Sequence, residues 1–222
     1  MKFEILSGKF ETGTDEQQEG YIHLFGEEQV QHRFDLYFHW FNLIHEVGHV
    51  LVEQQKLHIN PVEEELFVNQ FAVAYWRQVG ADEYLAELKK IIEEVITRLP
   101  NPVPSKQSFV EFFRRIWGTA ELYTVSMYGY FQLSCVIQAL TEERTLEEIL
   151  KRLGIDEPDI SMMELTYIEA SADNAVQILS SCISNLHNAG IPMPAIRLEL
   201  VDNPQIQCCQ PVKPEKSREK KR

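Results

Sequence analysis

Long apolar runs are the first thing missing from this chain of 222 residues. No stretch is apolar for the roughly 20 residues that crossing a bilayer requires, and residues 1–17 (MKFEILSGKFETGTDEQ) hold no signal-peptide core. The sequence therefore predicts a cytoplasmic protein with no membrane partner. Cysteine is scarce, with four residues. Cys135 and Cys182 fall in apolar helical patterns where a small buried thiol is ordinary, while Cys208 and Cys209 are neighbours in a polar tail, a poor geometry for a mutual bridge. No disulfide framework is expected, and the lack of any C-x-x-C pair excludes a cysteine zinc knuckle.

Positive charge is also short. Lys and Arg number 21 against 34 Asp and Glu, a net charge of −13. Phosphate binding relies on clustered cations, so nucleic acid is not an expected partner. The cations that do cluster lie in residues 213–222, six Lys/Arg with two Glu, and removing this +4 leaves −17 on the rest. Residues 203–222 are expected to be a disordered basic tail. No internal repeat is present. A hydrophobic content of 44% is ample for the core of one domain, or of a domain with a smaller lobe.

What the sequence does contain is His45-Glu46-Val47-Gly48-His49. On a helix, positions four apart share a face, so both imidazoles can bind one Zn²⁺ while Glu46 stands where a general base is needed. The surrounding residues 34–52 (FDLYFHWFNLIHEVGHVLV) are apolar on nearly every side, which predicts a helix buried within the fold. Burying two histidines and a glutamate without partners costs several kcal/mol, and a metal ion accounts for them. A ferritin-like di-iron centre needs two E-x-x-H motifs; Glu46 to His49 makes one, and no other histidine has a glutamate three residues before it.

Two carboxylates compete for the third ligand position, Glu53 on the same helix and Glu65 on the next. Asn60-Pro61 with Glu63 forms a capping pattern that opens a helix over 61–79, ended by Gly80. Glu63 and Glu64 in its first turn are explained by the helix dipole. Glu65 instead shares a face with Asn69, Ala72 and Trp76, the face turned to the partner helix.

The run HEVGHVL followed by Glu65-Leu-Phe-Val-Asn69-Gln-Phe71-Ala72 resembles the gluzincin metallopeptidases, most of all the compact bacterial ImmA/IrrE-type branch, over about residues 38–76. The resemblance implies His45, His49 and Glu65 as ligands of one Zn²⁺ per chain, Glu46 as general base, and Asn69 as a partner that orients a histidine. It also implies a tyrosine or histidine from a later helix that stabilises the oxyanion, for which Tyr128 and Tyr130 are candidates. Aromatics at helical spacing otherwise serve as core packing, and the lone histidines His58 and His187 read as surface or capping residues.

The remaining pattern predicts an α+β, mainly α-helical fold. Strands are expected at 2–6 and 21–25 as a small hairpin or edge pair, and at 195–201; helices at 82–99, 108–117, 120–140, from Thr145 to Gly154, and at 173–189. The prolines in 100–104 divide a zincin-like core, 1–99, from a helical lobe, 105–202, packed on it or continuous with it. The function expected is zinc-dependent hydrolysis of a peptide or protein substrate. Its alternative is a non-catalytic, zinc-stabilised interaction or regulatory protein, and a metal-free helical binding module is a third possibility.

Overall fold

The computed structural model describes residues 2–166 and 168–202; the predicted basic tail, with Cys208 and Cys209, lies outside them. The fold is mainly helical with one small sheet, the α+β class expected. In chain order it comprises β1 (Lys2–Gly8), α1 (Asp15–Phe25), α2 (Val30–Phe34), a π-helical segment (Asp35–Phe41) and α3 (Asn42–Gln54). There follow α4 (Pro61–Gln78), α5 (Asp82–Ile96), α6 (Phe109–Ile116), α7 (Val125–Thr141), α8 (Leu146–Arg152), α9 (Ala175–Asn188) and β2 (Ala195–Val201).

The expected strand at 21–25 is absent. These residues are the last turns of α1, whose start is fixed by a capping box between Thr14 and Gln17. Tyr21 and Phe25 lie one helical turn apart with their rings stacked at 6.1 Å, the i, i+4 contact of a helix face. Strand β1 pairs instead with β2, in parallel, from Lys2 opposite Ala195 to Gly8 opposite Val201. A parallel pair needs a long crossover, and here the whole helical body is that crossover. Phe3 and Ile5 point into the core while Lys2, Glu4 and Leu6 face outward.

The buried helix predicted over 34–52 begins earlier, at Val30, and passes through a π-helical stretch in which the Asn42 N–H reaches back to the Tyr37 carbonyl. Within that stretch His39 is fully buried, with Nδ1 2.5 Å from Asp35 Oδ1, and Nε2 donates to the Gly8 carbonyl at 3.0 Å. This histidine, which the sequence pattern did not single out, ties the end of β1 to the central helix.

Helix α4 opens as predicted, with the Asn60 side chain accepting from the Glu63 N–H and Pro61 at the first position. It is buried along most of its length and touches α3, α5, α6, α7 and α8. The main apolar core draws on residues from both sides of the 100–104 break, including Leu43, Phe71, Leu88, Val136 and Ile178. A second cluster joins Val62 of α4 to Phe113 of α6 and Phe131 of α7. Cys135 and Cys182 are buried free thiols, as expected.

Helices α3 and α4 run antiparallel, and Gly48 sets their separation. A Cβ at Gly48 would lie 2.9 Å from Val68 Cβ and 3.2 Å from Phe71 Cδ1, so the helices meet closer than any larger residue permits. Above this contact Trp40 stacks on Trp76 at 4.0 Å. Gly48→Ala therefore combines a gain in helix propensity of about 1 kcal/mol with overpacking that typically costs 1–3 kcal/mol. The expected outcome in thermal unfolding is a melting temperature lowered by a few degrees. Gly129→Ala, whose nearest neighbour would be Leu99 Cδ1 at 3.8 Å, is expected to leave it unchanged or raise it.

Candidate metal centre

The antiparallel contact brings three ionisable side chains to one point. His45 and His49 project from one face of α3, and Glu65 projects from the first turns of α4 toward them. Their ligand atoms all lie within 4.8 Å of one another, and no fourth His, Cys, Asp or Glu joins the group among the described residues. His45 Nε2 is 3.2 Å from His49 Nε2 and 3.4 Å from Glu65 Oε2, and His49 Nε2 is 3.7 Å from Glu65 Oε1. Tetrahedral zinc with bonds of 2.0–2.1 Å requires ligand atoms about 3.3–3.4 Å apart. The two imidazole nitrogens and the Glu65 carboxylate, whose Oε2 faces His45 and whose Oε1 faces His49, are therefore spaced to hold a single small cation, and of the two carboxylates that competed for this position, Glu65 is the one in the group.

Further polar groups stand behind the three side chains. His49 Nδ1 lies 2.8 Å from Glu64 Oε1, which leaves Nε2 turned toward the centre. The His45 ring is acted on by the Asn69 side chain, and Asn69 Nδ2 donates to the Glu65 carbonyl at 2.8 Å. His45 Nδ1 and Asn69 Oδ1 are both buried without a well-formed hydrogen bond. Glu65 Oε2 accepts from Gln132 Nε2 of α7 at 2.9 Å, and the same nitrogen donates to the Tyr128 hydroxyl at 2.8 Å. Such supports fix ring orientation and tautomer at metal sites.

Electrostatics divide the two histidines. Burial pushes the His45 pKa well below its ordinary value; neighbouring His49 adds to this and Asn69 opposes it. Burial acts the same way on His49, but the bond to Glu64 and the charges of Glu65 and Glu46 outweigh it and raise its pKa to about 9. The Glu65 carboxyl is pushed up by burial, against the pull of His49 and Gln132. His45 is 1% exposed and His49 17%, so the centre is reached from the His49 side. Glu46 is half-buried on the turn between them, its Oε1 accepting from Asn42 Nδ2 at 3.3 Å.

Of the residues singled out from the sequence, His45, His49, Glu65 and Asn69 converge, and Glu46 stands beside them. Tyr128 is buried and connects to the centre through Gln132, whereas Tyr130 is half-buried against the aromatic cluster of α6 and α7. His58 is exposed, and the exposed His187 accepts from the Met193 N–H at 3.1 Å. Glu64 and Gln132 were missed. Glu64 had a sufficient explanation in the helix dipole, while an isolated glutamine in an apolar helix gave a signal too general to read.

Comparison with known proteins adds no relative: no family model, no curated protein and no solved structure matches the chain.

Metal binding through His49 Nε2 requires loss of the proton that His49 holds, without metal, up to a pH of about 9. His45 is already neutral at pH 7. Zinc binding at pH 7 is thus expected to release at least one proton per ion, measurable by calorimetry in buffers of differing ionisation heat. Affinity should rise with pH and level off as pH passes about 9. Glu64→Gln removes the largest support for the charged ring, so the levelling should move to lower pH while the plateau affinity falls. An unchanged profile in this variant would remove Glu64 from the centre.

Proposed function

We propose that the protein is a zinc-dependent peptidase that binds one zinc ion per chain through His45, His49 and Glu65 and uses Glu46 as its general base. The observation that carries this reading is a set of three side chains that could hold one metal ion, partly exposed on its His49 side, with the half-buried carboxylate of Glu46 on the turn between the two histidines. Structural zinc sites are closed by four protein ligands; catalytic ones keep a position open. A zinc ion held by these residues would supply the Lewis acidity for activating a water molecule and polarising the scissile carbonyl.

The remaining steps belong to the chain's own side chains. Glu46 takes the proton of the attacking water at a carboxylate oxygen and delivers it to the leaving amine nitrogen. Asn42, one turn before it, holds Oε1 and limits its rotation. Glu64 keeps the proton of His49 on Nδ1, so that Nε2 offers its lone pair to the ion. Tyr128 is the tyrosine whose hydroxyl is hydrogen-bonded into this network, and we assign the stabilisation of the oxyanion to it ahead of Tyr130. The substrate is a peptide or protein, and the chain acts without nucleic acid.

Elemental analysis together with hydrolysis of a peptide mixture tests this. Glu46→Gln is expected to keep one zinc per chain and to lose activity by roughly two to four orders of magnitude. Glu65→Gln and His49→Ala are expected to lose the zinc itself. Zinc lost in Glu46→Gln would make that residue a ligand. A zinc-loaded wild type without hydrolytic activity would favour the non-catalytic, zinc-stabilised protein instead.

A further inference from the structure

Helix α7 meets the metal centre through one polar side chain. Around it the helix is apolar, with Phe131, Leu133, Cys135 and Val136 all in the core. Gln132 is 7% exposed in this setting. A methionine or leucine would fill the same space without the cost of burying an amide. A carboxamide offers two N–H donors, and those of Gln132 are directed at two oxygens, Glu65 Oε2 at 2.9 Å and Tyr128 OH at 2.8 Å.

We infer that Gln132 is a positioning residue that fixes the rotation of the Glu65 carboxylate and so sets how tightly the centre holds its ion. This rests on reading His45, His49 and Glu65 as a metal site. With Oε2 held by Gln132 and 3.4 Å from His45 Nε2, Glu65 presents Oε1 toward His49 Nε2, 3.7 Å away. The Tyr128 hydroxyl anchors the amide one turn back on the same helix, so the carboxylate is oriented by a chain of two hydrogen bonds. The consequence is that a helix beyond the 100–104 break contributes to metal affinity without supplying a ligand.

The test uses the full chain stripped of metal. Zinc affinity is read by competition with a chromophoric chelator, and ligand geometry by the visible absorption of bound Co²⁺. Gln132→Met keeps the volume and removes both donors; it is expected to fold, to bind zinc roughly 10–100-fold more weakly, and to shift the Co²⁺ bands. Gln132→Asn, too short to span both oxygens, is expected to change in the same direction. Tyr128→Phe leaves the bond to Glu65 in place and should lose clearly less. Wild-type affinity with wild-type Co²⁺ bands in the two Gln132 variants overturns the proposal. So does failure of both to fold without metal under conditions where the metal-free wild type folds, since a positioning residue leaves that fold intact. A wild type that binds neither Zn²⁺ nor Co²⁺ overturns the metal-site reading itself, which is a separate result.

Discussion

The contact between α3 and α4 at Gly48 is the constraint on which the site depends. Side chains contributed by two helices meet only if the helix axes approach closely, and Val68 and Phe71 occupy the space that any Cβ at position 48 would take. The stacked Trp40 and Trp76 hold the same two helices further along, so the spacing is enforced at two points. Apolar packing thereby does the positioning, and the polar residues are delivered to one another by apolar neighbours.

That delivery creates an electrostatic problem of its own. Two imidazoles and a carboxylate share a small, poorly hydrated volume, where an unpartnered charge is costly. A second set of groups, Glu64, Asn69 and Gln132, stands around them, each beside a different one of the three. The outcome is asymmetric. His45 is deep, and burial disfavours its charged form, while His49 is nearer the surface and held by a carboxylate that favours its charged form. A cation at the centre would replace the proton on His49 and relieve the crowding of Glu46, Glu64 and Glu65 around it.

What was legible in the sequence was local. The i, i+4 histidines and the Glu65, Asn69, Ala72, Trp76 face follow from helical periodicity within single elements, and the packing bears that face out through His45 and Trp40. The capping signal at Asn60 and the helix start expected at Thr145 likewise mark true helix starts. Residues 21–25 were misread because a five-residue apolar cluster has no decisive period; the Thr14–Gln17 capping box was the signal that outranked it. Helix α7 starts at Val125, capped by Thr124, and not at residue 120. Glu64, Gln132 and the buried pair Asp35 and His39 take their meaning from partners on other elements or from burial, which no window of sequence displays.

The pairing of β1 with β2 joins elements about 190 positions apart. During synthesis the first strand emerges early, yet the edge it must pair with is among the last described residues to leave the ribosome. Until then the ladder groups of β1 stay unsatisfied, and Phe3 and Ile5 have only part of their final cover. The contact of His39 with the Gly8 carbonyl offers this waiting strand an earlier anchorage, made by a residue only 31 positions downstream. A growing chain can thus park its first strand against the central helix and complete the sheet when the last one arrives.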